Sequence, residues 1–194
     1  MESYIESYLL KFDEINALVT TSFWRADKDD MGNRISQIAD DMESILIAAY
    51  RDGVKAAGKM LDTNLDVDIL LLRDALFQTI DGLDFEDRLI KHVTNHDLEG
   101  IQRLAETEYH RMFNAGLFDG ASEFEKKNPG QTVKVWNTMR DDRVRNTHHE
   151  LESVRVGLND YFKTSDGDTA LYPGDFIHAE NNVGCRCWIT LSRL

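Results

Sequence analysis

His148, Cys185 and Cys187 are the side chains in this sequence that point most directly to chemistry. Zinc takes imidazole and thiolate ligands tetrahedrally, so two thiols on one strand face and one histidine make three quarters of a set. Asp175, His149, His178 or water would have to complete it. The single residue between the cysteines argues against this, because zinc-binding pairs are usually separated by two or more residues whose turn lets the sulfurs converge. On a strand, at about 3.3 Å rise per residue, the two Cα atoms lie at the far end of disulfide geometry. The expectation is therefore two reduced thiols packed on the small core of the C-terminal part, beside His148, with no cofactor and with zinc as the alternative. Strand alternation should turn Arg186 to the opposite face.

A second set, His148, Glu180 and Arg145, has the types needed for metal-independent ribonuclease chemistry. Histidine and glutamate would exchange protons while arginine holds the phosphate. Such a trio is common in any 60-residue segment. The chain has no nucleophile elbow, no glycine-rich phosphate loop and no His-Glu-x-x-His. Upstream, Thr138-Met139-Arg140-Asp141 has the form of a capping box, and a helix starting there would place Asp141, Arg145 and His148 or His149 on one side.

The elements that must position these residues fall into two parts. Up to about residue 127 the apolar residues recur at three and four, as in Ile35, Ile38, Met42, Ile45 and Ala49, and again in Leu61, Leu65, Ile69, Leu72 and Leu76. Each set makes one helical stripe. Residues 26–33 break the first helical segment from the second; they are Asp-rich but lack the glycine and closing glutamate of a calcium loop at the required spacing. Thr79-Ile80-Asp81-Gly82 ends a further segment, and Leu98 to Phe124 is the longest helical candidate. Asn128-Pro129-Gly130 is a turn signal and the expected boundary. Beyond it the period becomes two, at Val133 and Val135, at Val154, Val156 and Leu158, and at Cys187, Ile189 and Leu191. Tyr172-Pro173-Gly174-Asp175 suits a type II turn. The expected fold class is α+β: an acidic helical region over residues 1–127, then a module over residues 128–194 of about three short strands and a short helix.

Charge follows the same division. Of the net −13, residues 1–130 hold −12 from 14 basic and 26 acidic side chains, and residues 131–194 hold −1 from 8 and 9. Nucleic-acid affinity rests on Lys and Arg neutralising phosphates, so the helical part is a poor duplex binder. Any DNA contact would fall to the module, through Arg140, Arg143, Arg145, Arg155 and Arg186. Hydrophobic residues at 42% and charged residues at 29% indicate a folded chain. No apolar run is long enough to span a bilayer, and Met1-Glu2-Ser3-Tyr4 lacks the basic start of a secretory signal. The expected setting is a cytoplasm or the interior of a particle.

The order Trp136, Asp141-Asp142, Arg145, His148, Pro173-Gly174-Asp175, Cys185-Arg186-Cys187 resembles the C-terminal domain of the Mu F-like head morphogenesis proteins, minor head proteins of tailed bacteriophages. Thr107-Glu108 followed by Asn114-Ala115-Gly116 is similar to the helix that precedes that domain, although Arg103 stands apart from its usual place beside the Thr-Glu pair. Read from its composition alone, that helix would be an ordinary solvated one. The resemblance covers residues 98–188. It implies a protein made in the host cytoplasm and carried inside the virion head near the portal, in few copies. Portal protein, and with it other capsid proteins, would be its partners, and its work would be head assembly or the fate of packaged DNA. It also implies that Arg145 and His148 organise the module, so an architectural cluster of Asp142, Arg145 and His148 is expected.

Overall fold

Two long helices cross so closely that their backbones touch. In the computed structural model, which describes residues 2–25 and 30–194 and leaves out the side chains of residues 2–10 and of Ile69, the chain opens with α1 (Glu2–Arg25) and α2 (Met31–Met60). Residues 26–29, the first half of the connector considered for calcium, lie outside the described residues. Then follow α3 (Ile69–Leu76), α4 (Phe85–Thr94) and α5 (Leu98–Lys127). Asp30, Asp68, Asp84 and Asp97 cap α2 to α5 by accepting hydrogen bonds from the first-turn amides of Asn33, Leu70, Asp87 and Gly100. Part of the acidic excess is thus spent on helix starts, where carboxylates complement unpaired N–H groups and the helix dipole.

The stripe of α2 is buried as its period requires, with Ile38, Met42 and Ala49 inside and Ile35 and Ile45 packed at the margin. The stripe expected from Leu61 to Leu76 is not one helix. The α2 helix stops at Met60, Asp62 takes a positive φ of 46°, and Asp68 starts a new helix with its own cap. Leu61 and Leu72 still reach the common core, now from two separate elements.

Helix α5 is the axis of the fold, and the solvated helix expected here is instead enclosed: Thr107, Glu108, Asn114 and Gly116 are all buried. Where α2 crosses it, a Cβ added at Gly116 would lie 2.0 Å from the Tyr50 carbonyl oxygen, and one at Gly53 2.1 Å from that of Phe113. Any side chain at either position would force the helices apart.

After the turn at Gly130 (φ 74°) come β1 (Thr132–Asn137), α6 (Asn146–His149), β2 (Arg155–Gly157), β3 (Phe162–Lys163), β4 (Thr169–Ala170), α7 (Ala179–Asn182) and β5 (Trp188–Arg193). The main sheet is antiparallel in the order β2-β1-β5, with Val135 opposite Arg155 and Trp136 opposite Ile189. The fold is α+β as expected. The β3-β4 hairpin and a second short helix are additions, because strands of two residues leave no readable period. Cys187 and Leu158 fall just outside the strands assigned to them. The central strand β1 is covered on both faces, so Lys134 is fully buried beside Val133. Its ammonium lies 5.0 and 5.2 Å from the Phe118 and Phe162 rings, and burial pushes its pKa down to about 8. Buried residues of helices and sheet belong to one continuous core. No helix among the described residues is long and apolar enough to cross a membrane.

Candidate functional site

The single-turn helix α6 places His148 at the centre of the module, 1% exposed. Its ring stacks on Phe176 at 5.4 Å and meets Trp136 edge-on at 5.5 Å. Its Nδ1 lies 3.6 Å from Cys185 Sγ and 3.5 Å from Cys187 Sγ, while Nε2 is buried without a hydrogen-bond partner. The sulfurs converge because residues 185–187 are irregular, not a strand. Gly184 turns the chain at φ 66°, and Cys185 N–H donates to Asn182 O. Both cysteines are unbonded and buried. Hydrogen bonds with Cys187, and with His110 and His148, hold the Cys185 thiol well below the usual range against the effect of burial; Cys187 is pushed up by Cys185 and by burial.

Arg186 points away from this centre, as expected, and forms a two-pronged pair with Asp141 at 2.6 and 2.9 Å. This pair holds the Asp141 carboxyl below its ordinary value, Arg186 being the main cause. The helix expected from Thr138 does not form. Arg140 takes a positive φ of 56° and donates its amide to Thr138 Oγ1, while Asp141 Oδ1 accepts from Arg143 N–H in a local turn. Short polar side chains that satisfy their own backbone compete with helix in this way. Asp141 consequently pairs with Arg186 and not Arg145, whose guanidinium instead donates to the Val183 carbonyl. Asp142 is exposed, and its carboxylate makes no hydrogen bond or ion pair among the described residues. The expected Asp142, Arg145 and His148 cluster is thus replaced by two links, Asp141 to Arg186 and Arg145 to Val183.

Of the five arginines considered for DNA, Arg140 is bound to Glu152, Arg143 and Arg186 to Asp141, and Arg145 to a carbonyl; Arg155 is exposed. The ribonuclease trio is not gathered in one cleft. Glu180 is exposed on α7, whereas His148 is enclosed by rings and sulfurs, so no substrate phosphate reaches the imidazole.

A second polar centre sits where α5 meets the Pro173-Gly174-Asp175 turn. Glu108, with no exposed surface, accepts from Arg88 Nη1 at 2.6 Å and from Arg111 Nε and Nη2 at 2.9 and 2.7 Å. Burial pushes the Glu108 carboxyl up, but Arg111 and Arg88 more than offset this and its pKa ends below the ordinary value. Arg111 Nη1 also donates to Ala75 O at 2.5 Å and Gln78 Oε1 at 3.0 Å. Gly174 (φ 98°) lies against the Arg111 stem, where an added Cβ would come within 2.9 Å. Asp175, its carboxyl raised by burial, accepts from Leu171 N at 2.7 Å and Gln78 Nε2 at 2.8 Å. Higher on the same helix, Thr107 Oγ1 accepts from Gly184 N–H, and Asn114 takes Ile189 N–H and donates to the Cys187 carbonyl. The polar stripe Thr107, Glu108, Arg111, Asn114 therefore grips both characteristic segments of the module.

Arg88, Gln78, His110 and Arg111 had no place in the sequence-based set. The spacing of Thr107, Arg111 and Asn114, four and then three, was the available signal of one helical face.

The family model described as Phage Mu protein F like protein matches residues 71–190, a longer stretch than the resemblance had covered, and one that includes α3 and α4 with Gln78 and Arg88. The minor head protein GP7 of Bacillus phage SPP1 is 32% identical over 83 residues, 43% of this chain and 26% of that protein. The chain thus spans about a quarter of the length of that relative. No solved structure matches. With the matched stretch taking in α5, the His148 centre and the Cys185-Arg186-Cys187 segment alike, the chain belongs to the Phage Mu protein F like family.

Proposed function

We propose that this chain acts as a minor head protein of a tailed phage or prophage, seated inside the head against the portal and serving in head assembly or in the fate of packaged DNA. The observation that carries this reading is where its characteristic polar residues go. Glu108, Asn114, Asp141, Arg145, His148, Asp175 and Arg186 are engaged within the chain. A constellation spent on internal bonds builds a rigid docking body; turnover would need an acid, a base and a stabiliser open to one substrate. The name of the SPP1 relative supports a role in the head. The acidic helical part, at −12 against −1 for the rest, suits contact with protein better than with phosphate. Other capsid proteins are secondary partners. DNA contact would fall to the C-terminal module, where Arg140, Arg143, Arg155, Lys163 and Arg193 are exposed.

The test is assembly of procapsids with and without portal protein, followed by quantification of this chain in purified particles. Incorporation that depends on the portal supports the proposal, and equal incorporation in both preparations overturns it.

A further inference from the structure

We infer that His148, Cys185 and Cys187 hold one zinc ion, with His110 acting on the site as a hydrogen-bond donor to Cys185. Among the described residues these three form a group of buried ligand atoms within 4.8 Å of one another. Zn–N of about 2.0 to 2.1 Å and Zn–S of about 2.3 Å at tetrahedral angles place nitrogen and sulfur roughly 3.6 Å apart. The two Nδ1 to Sγ distances here are 3.6 and 3.5 Å. The objection from a single spacer falls away, since the Gly184 turn and the irregular 185–187 backbone bring both sulfurs to one side.

The hydrogen bonds around Cys185 set donors on its sulfur. Asn114 Nδ2 donates to His110 Nε2 at 3.1 Å, so in neutral His110 the other ring nitrogen carries the proton. A hydrogen bond joins His110 to Cys185, and Cys187 N–H also points at that sulfur, at 3.5 Å. A sulfur that receives donors from two directions is built as an acceptor, the form that binds metal. Two thiolates cancel the charge of Zn²⁺, so the loaded site is neutral beside Trp136 and Phe176 and avoids the cost of an uncompensated buried charge. Arg145, the cation that acts on Cys187, is committed to the Val183 carbonyl, and Arg186 to Asp141. With three protein ligands, the fourth position falls to a water molecule. Closing the site ties α6 to the start of β5.

The experiment is metal analysis of the full chain, purified reduced from zinc-supplemented cells, together with cobalt titration of the chelator-treated chain. About one zinc per chain and a cobalt spectrum with tetrahedral visible bands and a thiolate charge-transfer band are expected. Cys187→Ser and His148→Gln should lose the metal, with helix content followed by circular dichroism. If those variants do not fold, the cobalt spectrum of the unsubstituted chain decides alone, and absence of the thiolate band overturns the proposal. Metal retained in full by a folded Cys187→Ser variant overturns it equally. His110→Ala should weaken zinc binding by about 10- to 100-fold; unchanged affinity removes His110 from the site.

Discussion

Replacing Glu108 should unbalance a fully buried charge cluster. The Glu108 and Arg111 side chains are 0% and 1% exposed, and Arg88 completes the pair from α4. Glu108→Gln keeps the volume but leaves two guanidinium groups facing a neutral amide. Breaking a buried pair by removing one partner costs about 3 to 5 kcal/mol, a large fraction of the roughly 5 to 15 kcal/mol that holds a typical domain together. At about 2 to 4 °C per kcal/mol for a chain of this size, the melting temperature should fall by roughly 6 to 20 °C, measured by circular dichroism and checked by urea unfolding. The pH profile gives an independent reading. The folded-state pKa of Glu108 lies below its ordinary 4.5, so the unfolded chain binds this proton more tightly. The contribution is complete above that value and disappears as pH falls through the folded pKa. Glu108→Gln should therefore flatten part of the acid limb of the stability curve. A loss under about 1 kcal/mol, the scale of an exposed ion pair, with an unchanged acid limb would refute the reasoning.

Three further outcomes follow from the same geometry. Gly116→Ala should destabilise by about 2 to 4 kcal/mol, because its Cβ would meet the Tyr50 carbonyl oxygen at 2.0 Å and a helix crossing cannot yield at one point; denaturant midpoints check this, and a neutral result would mean that the two helices sit further apart. Gly174→Ala, at φ 98° against Arg111, combines a left-handed backbone with crowding and should cost about 2 kcal/mol or more, read by the same unfolding measurement. Burial pushes the Asp119 carboxyl up to about 6 while Tyr50 hydroxyl donates to it, so the stability it contributes is present below its ordinary 3.8 and is lost as pH rises through about 6. Asp119→Asn, which still accepts from Tyr50, should accordingly be more stable than the parent near neutral pH by about 1 to 3 kcal/mol, with the gap closing below about pH 4; a gap independent of pH would contradict this.

Local pattern alone determined the α+β class, the α2 stripe, the positions of the three strands of the main sheet and the Pro-Gly turn, because each depends on residue types near in sequence, although in the doubly covered β1 it did not show that Lys134 and Trp136 are buried. The residue order from Trp136 to Cys187 likewise sufficed for the family resemblance. Tertiary structure decided the rest. Whether α5 was solvated or central could not be read from its mixed composition, since Glu108 and Arg111 look like surface residues until Arg88, Gln78 and the Ala75 carbonyl arrive from other elements to satisfy them. Asp141 stood at helical spacing from Arg145, yet a local turn and Arg186, 45 positions away, provided better partners. Cys185 and Cys187 read as strand residues, and only the Gly184 turn brought both sulfurs to His148. Local pattern reports the periodic burial of a segment, whereas the partner of a buried polar group is set by which distant elements the common core brings together.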